Sequence, residues 1–312
     1  MKIFYATDVH GSDICWKKFI NAGPFYEVDA IILGGDMTGK AVVPIISQGS
    51  NRWKVTVQEQ ESILEGKEEV ERMVQSIRNR GYYPYVTDPD ETAAIHADQA
   101  LSDKVFMKEV VSTLERWLDY ADQKLAGKNL KCFVCPGNDD SFEIDEVIQT
   151  SKCVVNIEGR LIQLDQHHEM ISSGWTNPTP WDTEREEDED SLEKRYEAMA
   201  STLKNPQTAV FNLHPPPYSS GLDDAPELTA DMRLAYAGQS LIPVGSKSTL
   251  KVIEKYGPLL GLHGHIHEGR GSRKIKKTLC INAGSMYEQG ILLGAVIELH
   301  PKKVGNYILT SG

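Results

Sequence analysis

The sequence predicts an α/β fold with its functional residues at the ends of strands, and two observations carry that prediction. Short apolar runs of strand length recur along the chain, separated by segments with apolar residues at helical spacing. Five of the runs are followed at once by carboxylate, amide or imidazole side chains. In α/β sheets, ligands sit outside the carboxyl ends of the strands, so five such ends can converge on one point.

Residues 2–7 read as the first buried strand, ending at Asp8, with a helix from about Ile14 to Ala22. Ala30 to Leu33 is the second run and ends at Gly34-Gly35-Asp36. Leu130 to Val134 is the third, ending at Pro136-Gly137-Asn138-Asp139-Asp140. Ala209 to Leu213 is the fourth and ends at His214, and Pro258 to Leu262 is the fifth, ending at His263-Gly264-His265-Ile266-His267.

The stretch 50–128 breaks this rhythm. Trp53 to Val57 is its one candidate strand. Gln58 to Arg80 places Ile63, Val70, Val74 and Ile77 at helical spacing, Gly81 to Pro84 interrupts it, and a second helical stretch runs from about Glu91 to Leu125. The prediction is a helical insertion in one domain of 312 residues, serving as a covering layer or as a cap that narrows access to the site. Glu184 to Glu193 is a dense acidic run. It reads as a solvated face opening a helix to about Leu203, its acids favouring the positive end of the helix dipole.

Acidic residues outnumber basic ones by 45 to 33, for a net charge of −12. That balance speaks against an electrostatic footprint on nucleic acid, which needs clustered Lys and Arg. A small phosphate substrate needs only local positive charge, which bound cations would supply. The five cysteines, Cys15, Cys132, Cys135, Cys153 and Cys280, form no disulfide framework, which points to a reduced, intracellular protein. Cys132 and Cys135 make a CxxC within an apolar run; three apart on a strand they face opposite sides and read as small buried hydrophobes. The N-terminus turns polar too early for a signal peptide, and no run approaches the ~20 apolar residues of a membrane helix. A cytoplasmic location is the expectation.

Taken singly, Asp8-x-His10, Gly35-Asp36, Asn138 and His214 are ordinary turn or structural residues. His265-x-His267 says more, because two imidazoles two apart on an extended segment point the same way. In this order, each at a strand end, they make a metal site. Oxygen donors mixed with neutral imidazoles suit Mn, Fe, Zn, Co or Ni, whereas an all-oxygen set would suit Mg or Ca. No cysteine pairing suggests a structural zinc cluster. Seven groups suffice for two ions, and a pair about 3.5–4 Å apart serves in-line displacement at phosphorus.

The ordered set Asp8-x-His10, Gly35-Asp36, Gly137-Asn138-Asp139-Asp140, His214 and Gly264-His265-x-His267 resembles the calcineurin-like metallophosphoesterase superfamily. Asn282-Ala283-Gly284-Ser285 resembles the Asn-Pro-Gly-Ser turn that often follows the last motif, and the text around Gly-Leu-His-Gly-His-Ile-His-Glu looks most like a prokaryotic branch related to cyclic-nucleotide phosphodiesterases. The resemblance implies a four-layer α/β/β/α sandwich of two mixed sheets. It implies that Asp8, His10 and His267 hold one divalent ion, that Asn138, His214 and His265 hold the other, and that Asp36 bridges. A hydroxide shared by the ions would attack phosphorus.

One position departs from the family pattern. Where the third motif usually has a histidine that protonates the leaving oxygen, this chain has Asp139, a poor acid at pH 7 unless its pKa is raised. Its charge would repel a phosphate monoester dianion. The expectation is therefore a phosphodiesterase acting on a small phosphodiester or nucleotide, assayed with Mn. A phosphomonoesterase or nucleotide pyrophosphatase is the alternative, and a non-catalytic metal-binding scaffold a third reading. Asp139 and Asp140 are the catalytic candidates, Asp140 matching the carboxylate that orients the usual histidine. His263 reads as a supporting or core residue. Arg270, Arg273 and Lys274 are phosphate contacts or a basic surface loop. Asp13 and Tyr218 are weaker candidates. Tyr82, Tyr83 and Tyr85 either stack on a base or pack within the insertion.

Overall fold

The structure is a computed structural model and describes residues 1–229 and 231–312. In chain order the strands are β1 (Lys2–Ala6), β2 (Ala30–Leu33), β3 (Val42–Gly49), β4 (Arg52–Val57), β5 (Gln60–Glu65), β6 (Tyr83–Thr87), β7 (Lys131–Val134), β8 (Val154–Asn156), β9 (Leu161–Gln163), β10 (Glu169–Ser173), β11 (Val210–Leu213), β12 (Asp224–Pro226), β13 (Leu241–Pro243), β14 (Leu260–His263), β15 (Gly271–Ile275), β16 (Thr278–Asn282), β17 (Leu293–His300) and β18 (Lys303–Ser311). The α-helices are α1 (Asp13–Tyr26), α2 (Lys67–Asn79), α3 (Pro89–Ala97), α4 (Gln99–Leu125), α5 (Ile144–Ile148), α6 (Glu189–Ala200) and α7 (Lys247–Tyr256).

Two six-stranded mixed sheets form the body. The first has the order β18-β17-β1-β2-β7-β8, with β1, β2, β7 and β8 parallel. The second has the order β15-β16-β14-β11-β10-β9, with β10, β11, β14 and β16 parallel and antiparallel strands at both edges. Side chains alternate across each strand. In β1, Ile3 and Tyr5 enter the layer between the sheets, where they join Ile32, Phe133, Met170, Val210 and Leu262. Phe4 and Ala6 face the other way, toward Trp16 and Phe19 of α1 and Leu114, Trp117 and Leu118 of α4. The outer face of the second sheet packs Phe211 and Leu213 against Leu192 and Tyr196 of α6 and Val252 and Ile253 of α7. The result is the expected α/β/β/α sandwich. Strands buried on both faces explain why the sequence shows continuous apolar runs rather than alternation.

Cys132 lies on the helix side and Cys135 between the sheets, so the CxxC is split across two cores, and all five cysteines are free thiols. Among the described residues, no helix is long and apolar enough to cross a membrane.

The insertion differs from the sequence reading. It contains a sheet of its own, with the order β5-β4-β3-β6, packed on α2 around Val43, Ile45, Val55, Leu64, Val70 and Ile77. Its regular structure starts at Val42 rather than near 50, and Gln58–Arg80 is not one helix but β5 followed by α2. Leu64 is the only fully buried residue of β5, so that strand has almost no two-residue period to read. Glu91–Leu125 is two helices parted at Asp98, whose extended backbone and side-chain bonds to Ala100 N and Leu101 N start α4 anew. The second half of α4 belongs to the helix layer over the first sheet, with the Trp117 ring stacked on Trp16 at 4.9 Å.

The acidic run is also more than a solvated face. Glu187 pairs with Arg195 at 2.5 Å, and Glu189 accepts from Lys247 N and Ser248 N at 2.8 Å each, closing the N-terminus of α7.

Candidate metal centre

The structure brings all seven expected ligands to one place, at the C-terminal ends of β1, β2, β7, β11 and β14. His214 Nε2 lies 3.3 Å from Asp36 Oδ2 and 3.8 Å from Asp8 Oδ1. His10 Nε2 lies 3.1 Å from His267 Nε2, 3.7 Å from Asp36 Oδ2 and 3.9 Å from Asp8 Oδ1. His267 Nε2 is 3.6 Å from Asp8 Oδ1, and His265 Nδ1 is 2.9 Å from Asn138 Oδ1. Asp8, His10 and His267 offer donor atoms within 4.8 Å of one another, as do Asp36, His214 and His265. Asp36 contacts both His10 and His214 and so lies between the two groups.

The loops that make this possible are strained. Asp8, His10, Asp36 and His265 have positive φ of 52°, 37°, 49° and 64°, a conformation costing of order 1–3 kcal/mol each outside glycine. Backbone hydrogen bonds between loops hold it: Asp8 N to Gly35 O and His10 N to Asp36 O, both 3.0 Å. Ser285 Oγ donates to Asp8 O at 2.6 Å, and Asn282 Nδ2 donates to Gly264 O and Ile266 O at 3.2 and 2.9 Å. The Asn-Ala-Gly-Ser turn thus fixes the loop that carries His265 and His267. Glycine precedes the ligand at Gly137 and Gly264 because there is no room for a side chain. A Cβ at Gly137 would lie 2.1 Å from Asp36 Oδ1, and one at Gly264 would lie 2.1 Å from Thr7 Oγ1 and 2.4 Å from Asp8 Oδ2.

Both ring nitrogens of His214 and Nδ1 of His10 are buried without a hydrogen-bond partner. Buried polar atoms are almost always satisfied, so these ask for a partner of another kind. His10 Nε2 and His267 Nε2, 3.1 Å apart, are close enough together for one cation to take both. The mixed N/O donor set fits one or more divalent ions. Burial works against the charge of His214, but Asp36 and Asp8 outweigh it and raise its pKa to about 9. Burial, aided by Asp139 and Asp8, pushes Asp36 up to about 7, and burial lowers His265 to about 3.

The catalytic candidates part company. Asp139 faces the site: its backbone N–H donates to Asp36 Oδ1 at 3.1 Å, and its Oδ2 lies 3.7 Å from His10 Nδ1. Asp140 does not. It is fully buried, and its carboxylate accepts from Met37 N, Thr38 N, Thr38 Oγ1 and Gly137 N at 2.6–2.9 Å. With its lone pairs committed to the Asp36 and Asn138 loops it cannot touch a substrate, and its expected catalytic role is corrected to that of a clamp between ligand loops.

Other sequence candidates lie in supporting positions. His263 is the last residue of β14, buried, with Nδ1 on Leu213 O at 2.8 Å. Asp13 joins α1 to α4 by accepting from Trp117 Nε1 at 2.6 Å and Arg116 Nη1 at 3.2 Å. Tyr218 lies under Lys247, 5.4 Å from ring centroid to Nζ. Arg273 and Lys274 are exposed on edge strand β15, and exposed Arg270 donates to Thr310 O at 3.0 Å. Tyr83 is buried in the helix-side core of the first sheet, edge-on to Phe106; half-buried Tyr82 packs against the insertion's own core, and half-buried Tyr85 donates to Glu91 at 2.7 Å.

Three contributors had no motif to announce them. Lys40 Nζ lies 2.6 Å from Asp139 Oδ2. Thr183 Oγ1 accepts from Asn138 Nδ2 at 2.8 Å, which turns the Asn138 oxygen toward His265. Arg185 is buried and donates to Asp140 O at 2.9 Å and Ser141 O at 3.1 Å, bracing that loop.

No family model matches the chain, and no curated protein matches its sequence. Among solved structures, the protein TT1561 of Thermus thermophilus matches over 100% of this chain and 97% of its own, with a TM-score of 0.54 at 14% identity. A second matches over 99% of this chain and 98% of its own, with a TM-score of 0.55 at 14% identity. A phosphoesterase of E. coli, YfcE, matches over 99% and 98% with a TM-score of 0.32 at 9% identity, too loose an overlay to add weight. At such identities the first two show a shared fold and nothing more. Two mixed sheets lie between helix layers, with Asp, Asn and His residues gathered at parallel strand ends, and this is the four-layer α/β/β/α architecture that the sequence resemblance implies.

Proposed function

We propose that this protein is a metal-dependent phosphoesterase hydrolysing a small phosphodiester or nucleotide. The observation that carries the reading is the convergence of Asp8, His10, Asp36, His214, His265 and His267 into two adjoining donor groups, each within 4.8 Å. Asp8, His10 and His267 would hold one ion, Asn138, His214 and His265 the other, and Asp36 would serve both. Such ions supply a water of lowered pKa as nucleophile and neutralise phosphate charge. Mn, Fe, Zn, Co and Ni suit the donors, with Mn as the assay metal. The chain adds Lys40, whose side chain is 52% exposed and is held by Asp139, itself 15% exposed. A phosphate oxygen beside Asp36 would be within its reach. The five free thiols support a reducing, cytoplasmic setting.

Asp139 in place of an imidazole favours a diester, through repulsion of the second negative charge of a monoester. The Lys40–Asp139 pair offsets that charge, and this favours a second reading, a monoesterase or nucleotide pyrophosphatase. Hydrolysis of bis-p-nitrophenyl phosphate against p-nitrophenyl phosphate, with Mn²⁺ present, separates them. A diester rate at least tenfold higher is expected. Cleavage of the monoester alone would sink the diester preference, and cleavage of neither by metal-loaded protein would leave a scaffold. Asp36→Asn should abolish whichever activity is found.

A further inference from the structure

We infer that the insertion carries a binding cleft for the non-phosphate part of the substrate, and that this part is an uncharged, ring-bearing group of nucleoside or aryl size; the inference rests on the phosphoester reading above. Lys40 is the link. It pairs with Asp139 at the metal centre and also lines a cleft of about 320 Å³ between β3, β6, α3 and α4. The volume is at the small end of organic ligand sites, which run from about 300 to 1,000 Å³. Its walls include Val42, Pro44, Ile95 and Phe106, apolar side chains left partly exposed by the fold.

The charges along the lining define the ligand. Lys40 is the only Lys or Arg among the lining residues, and it stands at the end nearest the metal centre. Asp103 lies on the wall, so a second phosphate would be repelled there. Beyond the phosphate the cleft therefore suits a neutral group. Apolar walls that include Phe106 and Tyr85 suit a flat ring, and the Ser102 hydroxyl and the His96 imidazole are polar groups of the same lining.

The test is equilibrium titration of the Mn²⁺-loaded protein with inorganic phosphate, ribose 5-phosphate and AMP. AMP is expected to bind at least tenfold tighter than ribose 5-phosphate. Ile95→Glu, which places a charge in the cleft on a helix that tolerates glutamate, should remove that difference and leave phosphate binding within twofold. Ser102→Leu, which fills the cleft without charge, should do the same. Equal binding of AMP and ribose 5-phosphate by the wild type would overturn the inference, as would variants that weaken all three ligands alike. Ring-selective binding without hydrolysis of any phosphoester would defeat the proposed reaction and leave the cleft standing.

Discussion

Replacing Asp140 by alanine removes the acceptor for three backbone N–H groups, those of Met37, Thr38 and Gly137, and for the Thr38 hydroxyl. All four lie in the interior, where an orphaned donor costs about 1–3 kcal/mol. Water entering the vacated volume recovers part of that. The expected loss is about 3–5 kcal/mol, the range for breaking a buried polar network. Against a total stability of roughly 5–15 kcal/mol that is a large fraction. Asp36 adjoins Met37, and Asn138 adjoins Gly137, so releasing this clamp should also loosen two ligand loops. Urea unfolding with and without Mn²⁺ reads the first effect as a lower midpoint at unchanged slope. Metal content after dialysis reads the second. Asp140→Asn should behave almost as badly, because its amide hydrogens would face two of the same donors. A variant that loses less than about 1 kcal/mol and keeps its metal, yet loses activity a hundredfold, would refute the clamp and return Asp140 to the chemistry.

Gly264→Ala should abolish tight metal binding, because the new methyl would lie 2.4 Å from Asp8 Oδ2; undiminished Mn²⁺ affinity by titration would contradict the packing. Mn²⁺ binding should release protons at pH 7. Carboxylates hold the metal-free His214 pKa near 9 against burial, so a cation must displace its proton, and affinity should rise with pH up to that value. Calorimetry in two buffers of different ionisation enthalpy measures the release, and a zero result would count against it. Burial alone would raise the Glu189 pKa, but hydrogen bonds from Ser248, Lys247 and Ser246 outweigh it and lower it. Its contribution is therefore complete above the unfolded value of about 4.3 and lost as pH falls through the lower folded value. Glu189→Gln should cost about 0.5–1 kcal/mol at pH 7, a capping loss discounted for partial exposure, and should flatten the acid limb of stability below about pH 4.

The strands of the body and the candidate donors were legible because both are local in sequence. A strand buried on both faces is a run of apolar residues wherever it occurs, and the candidate donor stands at its end. The insertion was less legible. Strand β5 has one fully buried residue, and β3 is interrupted in character by Pro44, Gln48 and Gly49, so neither carries a period strong enough to outvote neighbouring helical spacing. Asp140 misled for a different reason: adjacent aspartates look alike in sequence, and whether a carboxylate faces solvent or four buried donors depends on a loop about a hundred residues away.

Residue types and their order along the chain were enough to read an α/β fold and seven candidate donors suited to borderline metals, since donor chemistry belongs to the side chain; the two-sheet sandwich followed only from the resemblance to a known family. Folding alone chose the partners. Lys40 meets Asp139, Thr183 turns Asn138, Arg185 braces the third ligand loop, and the cleft opens beside Lys40. Each of these contacts joins elements far apart in the chain, and a contact energy that acts over a few ångströms leaves no spacing for a sequence to show.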